Sequence, residues 1–361
     1  MRERLKVAVV GSGIGREHVA AWLQLPDHFQ LAAFCDVDLA RGEAVAASAG
    51  IKRFVTSFDA LCAMDDIDVI DICTPPFLHV EQSLQALAAG KHVVSEKPVA
   101  ASLADIDRLV AAEARSGRRL MPIFNYRFGA SIQRLRHLIQ LGVTGPRYLS
   151  TVETAWKRGM DYYRAVPWRG TWEGELGGCL VSHAIHAHDA LYYLVGKPRR
   201  VYARLATRVN PIEVEDTAAI ALEMADGSLA TLAVTLGSVQ EITRHRYCFA
   251  NLTAESNTLP YAANGSEPWQ FIPASPAAAD ALQDALARFE PGPEGFVGQF
   301  ARFYRALQDG AELPVTLADA RNAIELITAC YDSARHNQPL ELPLGPDHAL
   351  YGGWKPAALD S

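Results

Sequence analysis

The chain has 361 residues, of which 49% are hydrophobic and 21% charged, and carries a formal net charge of -7. One hydrophobic core ordinarily stops growing at about 250–300 residues, so two domains are expected, and the composition excludes a disordered or fibrous chain. Basic and acidic residues are interspersed without a Lys/Arg block, which argues against nucleic acid as a partner.

No apolar run approaches the roughly 20 residues that span a bilayer, and the apolar run after "MRER" is too short for a signal-peptide core. No membrane partner and a cytoplasmic location are therefore expected. The cysteines (Cys35, Cys62, Cys73, Cys179, Cys248, Cys330) are scattered without a C-x-x-C pair. They read as buried thiols in a reducing compartment, not as a zinc or disulfide framework.

From residue 5 to about 125, apolar runs of strand length alternate with helical stretches. The order is "KVAVV", helix 16–25, "LAAFCD", helix 38–49, "VIDICT", helix 79–89, "HVVSEK", helix 102–116 and "RLMPIF". Strands separated by helices imply right-handed crossovers and a parallel sheet, a Rossmann fold over 1–125. In the helix at 102–116, Ser102 is placed to cap and Leu103, Ile106, Leu109 and Val110 to form the apolar face.

The turn after the first strand reads "GSGIGREH" (11–18), close to the dinucleotide fingerprint but with Arg16 where the third glycine should fall. Its place between strand and helix, and Asp36 at the end of the second strand, favour a cofactor site. Gly11 makes the turn, Gly13 admits a pyrophosphate and Gly15 starts the helix. Ile14 and Arg16 lie beside the phosphates, and Asp36 accepts from the adenosine ribose hydroxyls. Val37 and Asp38 stand where a 2'-phosphate would want a cation, so NAD is favoured over NADP, although Arg41 is near enough to swing in.

Beyond about residue 146, "PRYLSTVETAW", "RRVYARLAT", "DTAAIALEM", "SLATLAVTLGS" and "RHRYCFANLTA" read as long strands, with "ADGS" as a hairpin turn and "AANGSEP" as another turn. The expected second domain, 126–345, is an α+β unit on an open, mainly antiparallel sheet of about five or six strands. Two helices, "GFVGQFARFYRALQDG" and "LADARNAIELITACYDSARH", close it, and 346–361 form a tail. Such a sheet presents a flat face that calls for a partner, so a homodimer or homotetramer through the sheet is expected.

"LVSHAIHAHDALYYL" reads as one helix placing Ser182, His186 and Asp189 on a single face, with His183 alongside and His188 pointing elsewhere. An imidazole ordinarily titrates near about 6.5, which suits reversible proton transfer at neutral pH. The set His183, His186 and Asp189 also permits a metal reading. A cofactor site is the simpler account, and no metal is expected.

Together with the glycine turn, "ICTPPFLHVEQSLQALAAGKHVVSEKPVA" (72–100) and "GGCLVSHAIHAHDALYYLVG" (177–196) resemble the Gfo/Idh/MocA family of NAD(P)-dependent oxidoreductases. "NYRF" (125–128), "PWRG" (167–170) and "FVGQFARFYRALQDG" extend the resemblance over residues 5 to 343. It implies an NAD-dependent dehydrogenase or reductase of a sugar, sugar derivative or cyclic polyol. In the family pattern Lys97 steadies the developing alkoxide and His186 exchanges the hydroxyl proton. Glu96, Thr74, Pro75, His79, Asn125, Trp168 and Arg169 fall beside the cofactor. Lys97, Tyr126, Arg127, Ser182, His183, His186 and Asp189 fall beside the substrate. Ser182 stands where many relatives carry aspartate, which points away from inositol-like polyols. A redox-assisted glycosidase and a non-enzymatic NAD-binding regulator are the alternatives within the same family.

Overall fold

A computed structural model describes residues 4–256 and 268–357. In chain order the elements are β1 (Leu5–Val10), α1 (Gly15–Leu23), β2 (Phe29–Cys35), α2 (Leu39–Ser48), β3 (Phe54–Val55), α3 (Phe58–Cys62), β4 (Val69–Ile72), α4 (His79–Ala88), β5 (His92–Ser95), α5 (Leu103–Ser116) and β6 (Leu120–Pro122). There follow α6 (Ala130–Gln140), β7 (Arg147–Lys157), α7 (Met160–Arg164), α8 (Cys179–Ser182), α9 (Ile185–Val195), β8 (Pro198–Ala206), β9 (Thr217–Met224), β10 (Leu229–Thr235) and β11 (Gly237–Phe249). The last are β12 (Leu252–Glu255), β13 (Gln270–Pro273), α10 (Pro276–Leu286), α11 (Gly295–Asp309), α12 (Leu317–His336) and β14 (Leu340–Glu341).

The chain divides into two compact units, Met1–Ile123 with Phe296–Arg321, and Phe124–Gly295 with Asn322–Ser361. In the first, a parallel sheet runs β3-β2-β1-β4-β5-β6. Strand order reverses between β1 and β4, which leaves a crevice at their carboxyl ends, the usual ligand position in an open α/β sheet. Both faces are covered, so Val7, Val9, Val69, Ile70 and Val93 are buried without alternation.

Ser102 caps α5 as expected, its Oγ accepting the Asp105 N–H at 3.0 Å. The buried stripe is Leu103, Ile106, Leu109 and Ala112, while Val110 is 45% exposed. Three residues on from Leu109, Ala112 returns to the same face, whereas the next residue turns away by a quarter of a turn. Helix α11 gives its aromatic face to this first unit: Phe300 stacks on Trp22 with ring centroids 3.7 Å apart, and Tyr304 on His28 at 4.3 Å.

The second unit is built on an eight-stranded sheet, β13-β12-β11-β7-β10-β9-β8-β14, antiparallel except for the β7/β10 pair. The expected count of five or six strands falls short because β12, β13 and β14, of four, four and two residues, are too short to show alternation. "RHRYCFANLTA" is also two strands, since the chain reverses between Phe249 and Leu252. The "ADGS" turn forms as read, with the Met224 N–H bonded to Ser228 O at 2.8 Å and Gly227 at φ 86°. The turn expected in "AANGSEP" falls, apart from Pro268, outside the described residues.

One sheet face is buried through Val152, Val201, Ala203, Ile220, Leu222 and Leu232. The other exposes Tyr202, Ala221, Thr231 and Arg246, which with half-buried Thr151 form one cross-strand row. All the cysteines are free, and Cys248 is half-buried where a buried thiol was expected: it belongs to a strand face that nothing in the described chain covers fully. No described helix is long and apolar enough to cross a membrane.

Candidate functional site

The loops that carry the expected cofactor residues follow the carboxyl ends of β1, β2, β4 and β5. Gly11 ends β1 at φ 96°, and a Cβ there would sit 2.6 Å from the Cys73 carbonyl oxygen, so backbone strain and space both require glycine. Gly13 is exposed, and a Cβ would meet nothing within 4 Å, which leaves the turn open on its outer side. Gly15 opens α1, its Cβ position 3.3 Å from Cys73 and Val9. Ile14 and Arg16 lie exposed around that first turn.

Past the end of β2, Asp36 Oδ2 accepts the Ser12 N–H at 2.7 Å and Oδ1 the Asp38 N–H at 2.8 Å. Each oxygen keeps a further lone pair for a hydroxyl. Asp38 caps α2 by accepting the Arg41 N–H at 3.0 Å. A dinucleotide fits this set: the open side of Gly13 leaves room for a pyrophosphate, the α1 N-terminus offers its dipole, and Asp36 offers ribose acceptors.

Between β4 and α4, Thr74 and Pro75 form the turn. His79 is buried behind it, with Nε2 2.8 Å from Thr74 O and Nδ1 2.7 Å from Pro98 O. Its ring lies between the main-chain carbonyls of the two strand ends, and as a neutral imidazole it donates to one of them. Burial lowers its pKa. Glu96 and Lys97 follow β5, where the Lys97–Pro98 peptide is cis. Glu96 Oε2 accepts the Lys97 N–H at 3.0 Å, and Oε1 lies 3.1 Å from Nε2 of the buried His18.

In the second unit the histidine segment is two helices, not one. Ala184 N bonds Cys179 O, five residues back, at 2.9 Å, and the Ser182 hydroxyl donates to Gly178 O at 2.9 Å. This wide turn inserts a residue into the helical phase, as π-type bulges do, and ends α8 before α9 begins. Ser182 is therefore displaced from the His186 face, and its Oγ lies 2.6 Å from His183 Nδ1.

His183 is buried against Trp156 and Tyr162, with ring centroids 5.4 and 5.5 Å away. His186 is half-buried and stacks on Tyr126 at 5.1 Å. Asp189 takes Arg127 in a two-pronged ion pair, 2.5 and 2.7 Å, both side chains buried. With both carboxylate oxygens so engaged, Asp189 is poorly placed to complete a metal site with His183 and His186. Among the described residues, the metal-ligand types that crowd together are His18, Asp71 and Cys73, with donor atoms within 4.8 Å of one another.

Asn125 Oδ1 and Arg169 Nε are buried with no hydrogen-bond partner among the described residues, which marks both as ligand-facing candidates. The Arg169 guanidinium lies 3.9 Å over the Tyr162 ring and 5.4 Å over Trp168. His188 is fully buried, and burial pulls its pKa down to about 3.

Sequence reasoning passed over two acids. Asp71 interrupts the apolar strand "VIDIC", and that interruption was the available signal. Glu215 precedes "DTAAIALEM" and lies buried against α8, accepting from Gly178 N, Leu180 N and the Tyr331 hydroxyl at 3.1, 3.1 and 2.6 Å. A Cβ on Gly178 would lie 1.8 Å from Glu215 O, so only glycine permits this approach.

Burial pushes the Glu215 carboxyl up from 4.5 to about 7 against the pull of those donors. The folded state thus binds the proton more tightly than the unfolded chain, so this contribution is present in acid and lost as pH rises from about 4.5 to about 7. Thermal melts across pH 5–8 should show a decline of up to about 3 kcal/mol that Glu215→Gln abolishes. An unchanged slope in the variant would assign the decline elsewhere.

Residues 5–124 match the model of an oxidoreductase family with an NAD-binding Rossmann fold, and residues 132–248 match the Gfo/Idh/MocA C-terminal domain. The chain is similar in structure to the WlbA dehydrogenase of Bordetella pertussis, solved with NADH and UDP-GlcNAcA: TM-score 0.83, 30% identity, 95% of this chain and 100% of that one. It is 31% identical to the D-glucoside 3-dehydrogenase of Escherichia coli over 54% of this chain and 55% of that enzyme. It is 26% identical to inositol 2-dehydrogenase 1 of Saccharopolyspora erythraea over 96% and 99%.

Proposed function

Because the chain belongs to the Gfo/Idh/MocA family of NAD-binding oxidoreductases, we propose that it oxidises or reduces a secondary carbinol of a sugar or sugar derivative, with Lys97 and His186 as its catalytic residues. Bound NAD supplies the hydride acceptor. In the oxidative direction His186 takes the hydroxyl proton as the carbinol C–H bond breaks, and the Lys97 ammonium stabilises the negative charge that develops on oxygen. Asp36 and the glycine turn bind, Glu96 and Asn125 orient, and Trp168 and Arg169 flank the cofactor. Tyr126, Arg127, Ser182 and His183 shape the substrate side.

The observation that carries this reading is the position of Glu96-Lys97-Pro98 at the carboxyl end of β5, two strands from the glycine turn in the same parallel sheet. An open α/β sheet binds its ligand outside the carboxyl ends of its strands, which supports a ligand-facing role for a lysine there. The test is NADH formation across a panel of aldoses, uronates, glycosides, nucleotide sugars and inositols. Turnover of at least one class is expected. Binding of NAD with no turnover, or sugar release without net NADH, would replace this reading with the regulator or the glycosidase.

The exposed sheet face supports assembly of two or four copies. Its row of Ala221, Thr231 and Thr151 is small and flat, with Tyr202 at one end and Arg246 at the other. Gel filtration with light scattering should give a homo-oligomer, and Ala221→Arg should shift it towards monomer with the melting temperature of the fold little changed. A monomeric wild type would dismiss the assembly.

A further inference from the structure

His18 sits on α1 three residues past Gly15 and is fully buried. Each of its ring nitrogens faces a carboxylate: Nδ1 lies 2.9 Å from Asp71 Oδ2, and Nε2 lies 3.1 Å from Glu96 Oε1. Only the imidazolium donates from both nitrogens; a neutral ring would turn a lone pair against one of the carboxylates. Burial, the largest single influence, lowers the pKa of this histidine, but the charges and hydrogen bonds of Asp71 and of Cys73, whose Sγ lies 3.3 Å from Nδ1, together outweigh it and raise the pKa well above its ordinary value. The ring is fixed as well as charged. Asp71 Oδ2 also accepts the Trp22 indole N–H at 2.7 Å, and Phe296 and Phe300 of α11 cover the imidazole at 4.3 and 5.4 Å.

The other end of the chain of contacts is Glu96, whose second oxygen holds the Lys97 amide at 3.0 Å. Trp22, Asp71, His18, Glu96 and the Lys97 main chain thus form one connected series from the core to the rim of the cofactor crevice. A carboxylate at that rim with one oxygen unheld would have several rotamers open to it. With His18 on one oxygen and an amide on the other, it has one.

We propose that His18 is a positioning residue of the dehydrogenase: by bridging Asp71 and Glu96 it fixes the Glu96 carboxylate against the Lys97 amide, and so sets where Lys97 and the cofactor-facing strand end stand. The proposal rests on the role given to Lys97 above. His18 touches neither substrate nor cofactor and acts only through Glu96.

The test compares the full-length wild type with His18→Gln, Glu96→Gln and the double variant. It measures NAD+ affinity by calorimetry, kcat and KM on the best sugar of the panel, and the melting temperature. His18→Gln should lower kcat about ten- to a hundredfold, with sugar KM changed much less, and should weaken NAD+ about tenfold. The double variant should be no worse than Glu96→Gln alone, because both substitutions break the same link. Should His18→Gln fail to fold, Asp71→Asn keeps the side-chain size while removing the charge that holds the imidazolium, and the same losses are expected.

A lower melting temperature with kcat and NAD+ affinity unchanged overturns the proposal, as do additive losses in the double variant. If the wild type binds NAD+ but oxidises no sugar, the reading of Lys97 fails instead. The His18 proposal is then decided by NAD+ affinity, and an unaltered affinity in His18→Gln overturns it.

Discussion

Lys97→Met should reduce kcat for sugar oxidation by about 10²–10⁴-fold while leaving NAD+ affinity within a few-fold of wild type. Methionine keeps much of the length and apolar stem of lysine, so the strand end and its Glu96 contact, which uses the Lys97 main-chain N–H, remain. What disappears is the ammonium. A cation aimed at a developing alkoxide acts in the transition state far more than in the ground state, so the loss falls on kcat rather than on binding. His186→Asn should produce a loss of similar size by removing the proton acceptor, and its stacking neighbour Tyr126 should stay in place. Full turnover in either variant would remove that residue from the mechanism.

The second large effect is on stability. Asp189→Ala should destabilise the protein by about 3–5 kcal/mol, because it leaves the Arg127 guanidinium buried without its carboxylate. That guanidinium lies 5.0 Å over the Tyr193 ring and 5.8 Å over Phe124, contacts too weak to replace a two-pronged ion pair. Arg127 belongs to the turn Asn125–Phe128, which also carries Asn125 and Tyr126, so the same variant should raise KM for substrate. Arg127→Met combined with Asp189→Leu should recover most of the stability, since an apolar pair of similar volume needs no compensating charge. Chemical denaturation of the three variants measures this. A near-neutral Asp189→Ala would show that water reaches the arginine.

The first unit was legible because its signals are local. Alternating strand and helix lengths set the sheet, "GSG" and Asp36 mark the turn and its acid, and Ser102 caps where a serine before an apolar helix should. The histidine segment misled for a physical reason: nothing in "CLVSHAIHAH" is a helix breaker by propensity. The break comes from Ser182 bonding back to Gly178 and from Glu215, distant in sequence, anchoring Gly178 and Leu180. Asp71 was hidden in the same way, because a charge inside an apolar strand has meaning only once His18, Trp22 and Glu96 surround it. The edge strands β12–β14 are too short to carry any period. Pairings of this kind are tertiary, and no single stretch contains both partners.

The aromatic face of α11 bears on how the molecule is made. Gln299 donates to Pro122 O at 2.7 Å, Phe300 stacks on Trp22, and Phe300 and Phe303 are fully buried. The segment that supplies them leaves the ribosome some 170 residues after Pro122 has emerged. Until then Trp22, His18 and Phe29 lack their cover, so the half whose synthesis begins first cannot complete its core until most of the chain has emerged. A fragment ending near residue 123 would therefore present an uncovered aromatic surface, and an exchange of nucleotide-binding halves between relatives must carry residues 296–321 along with the amino-terminal stretch.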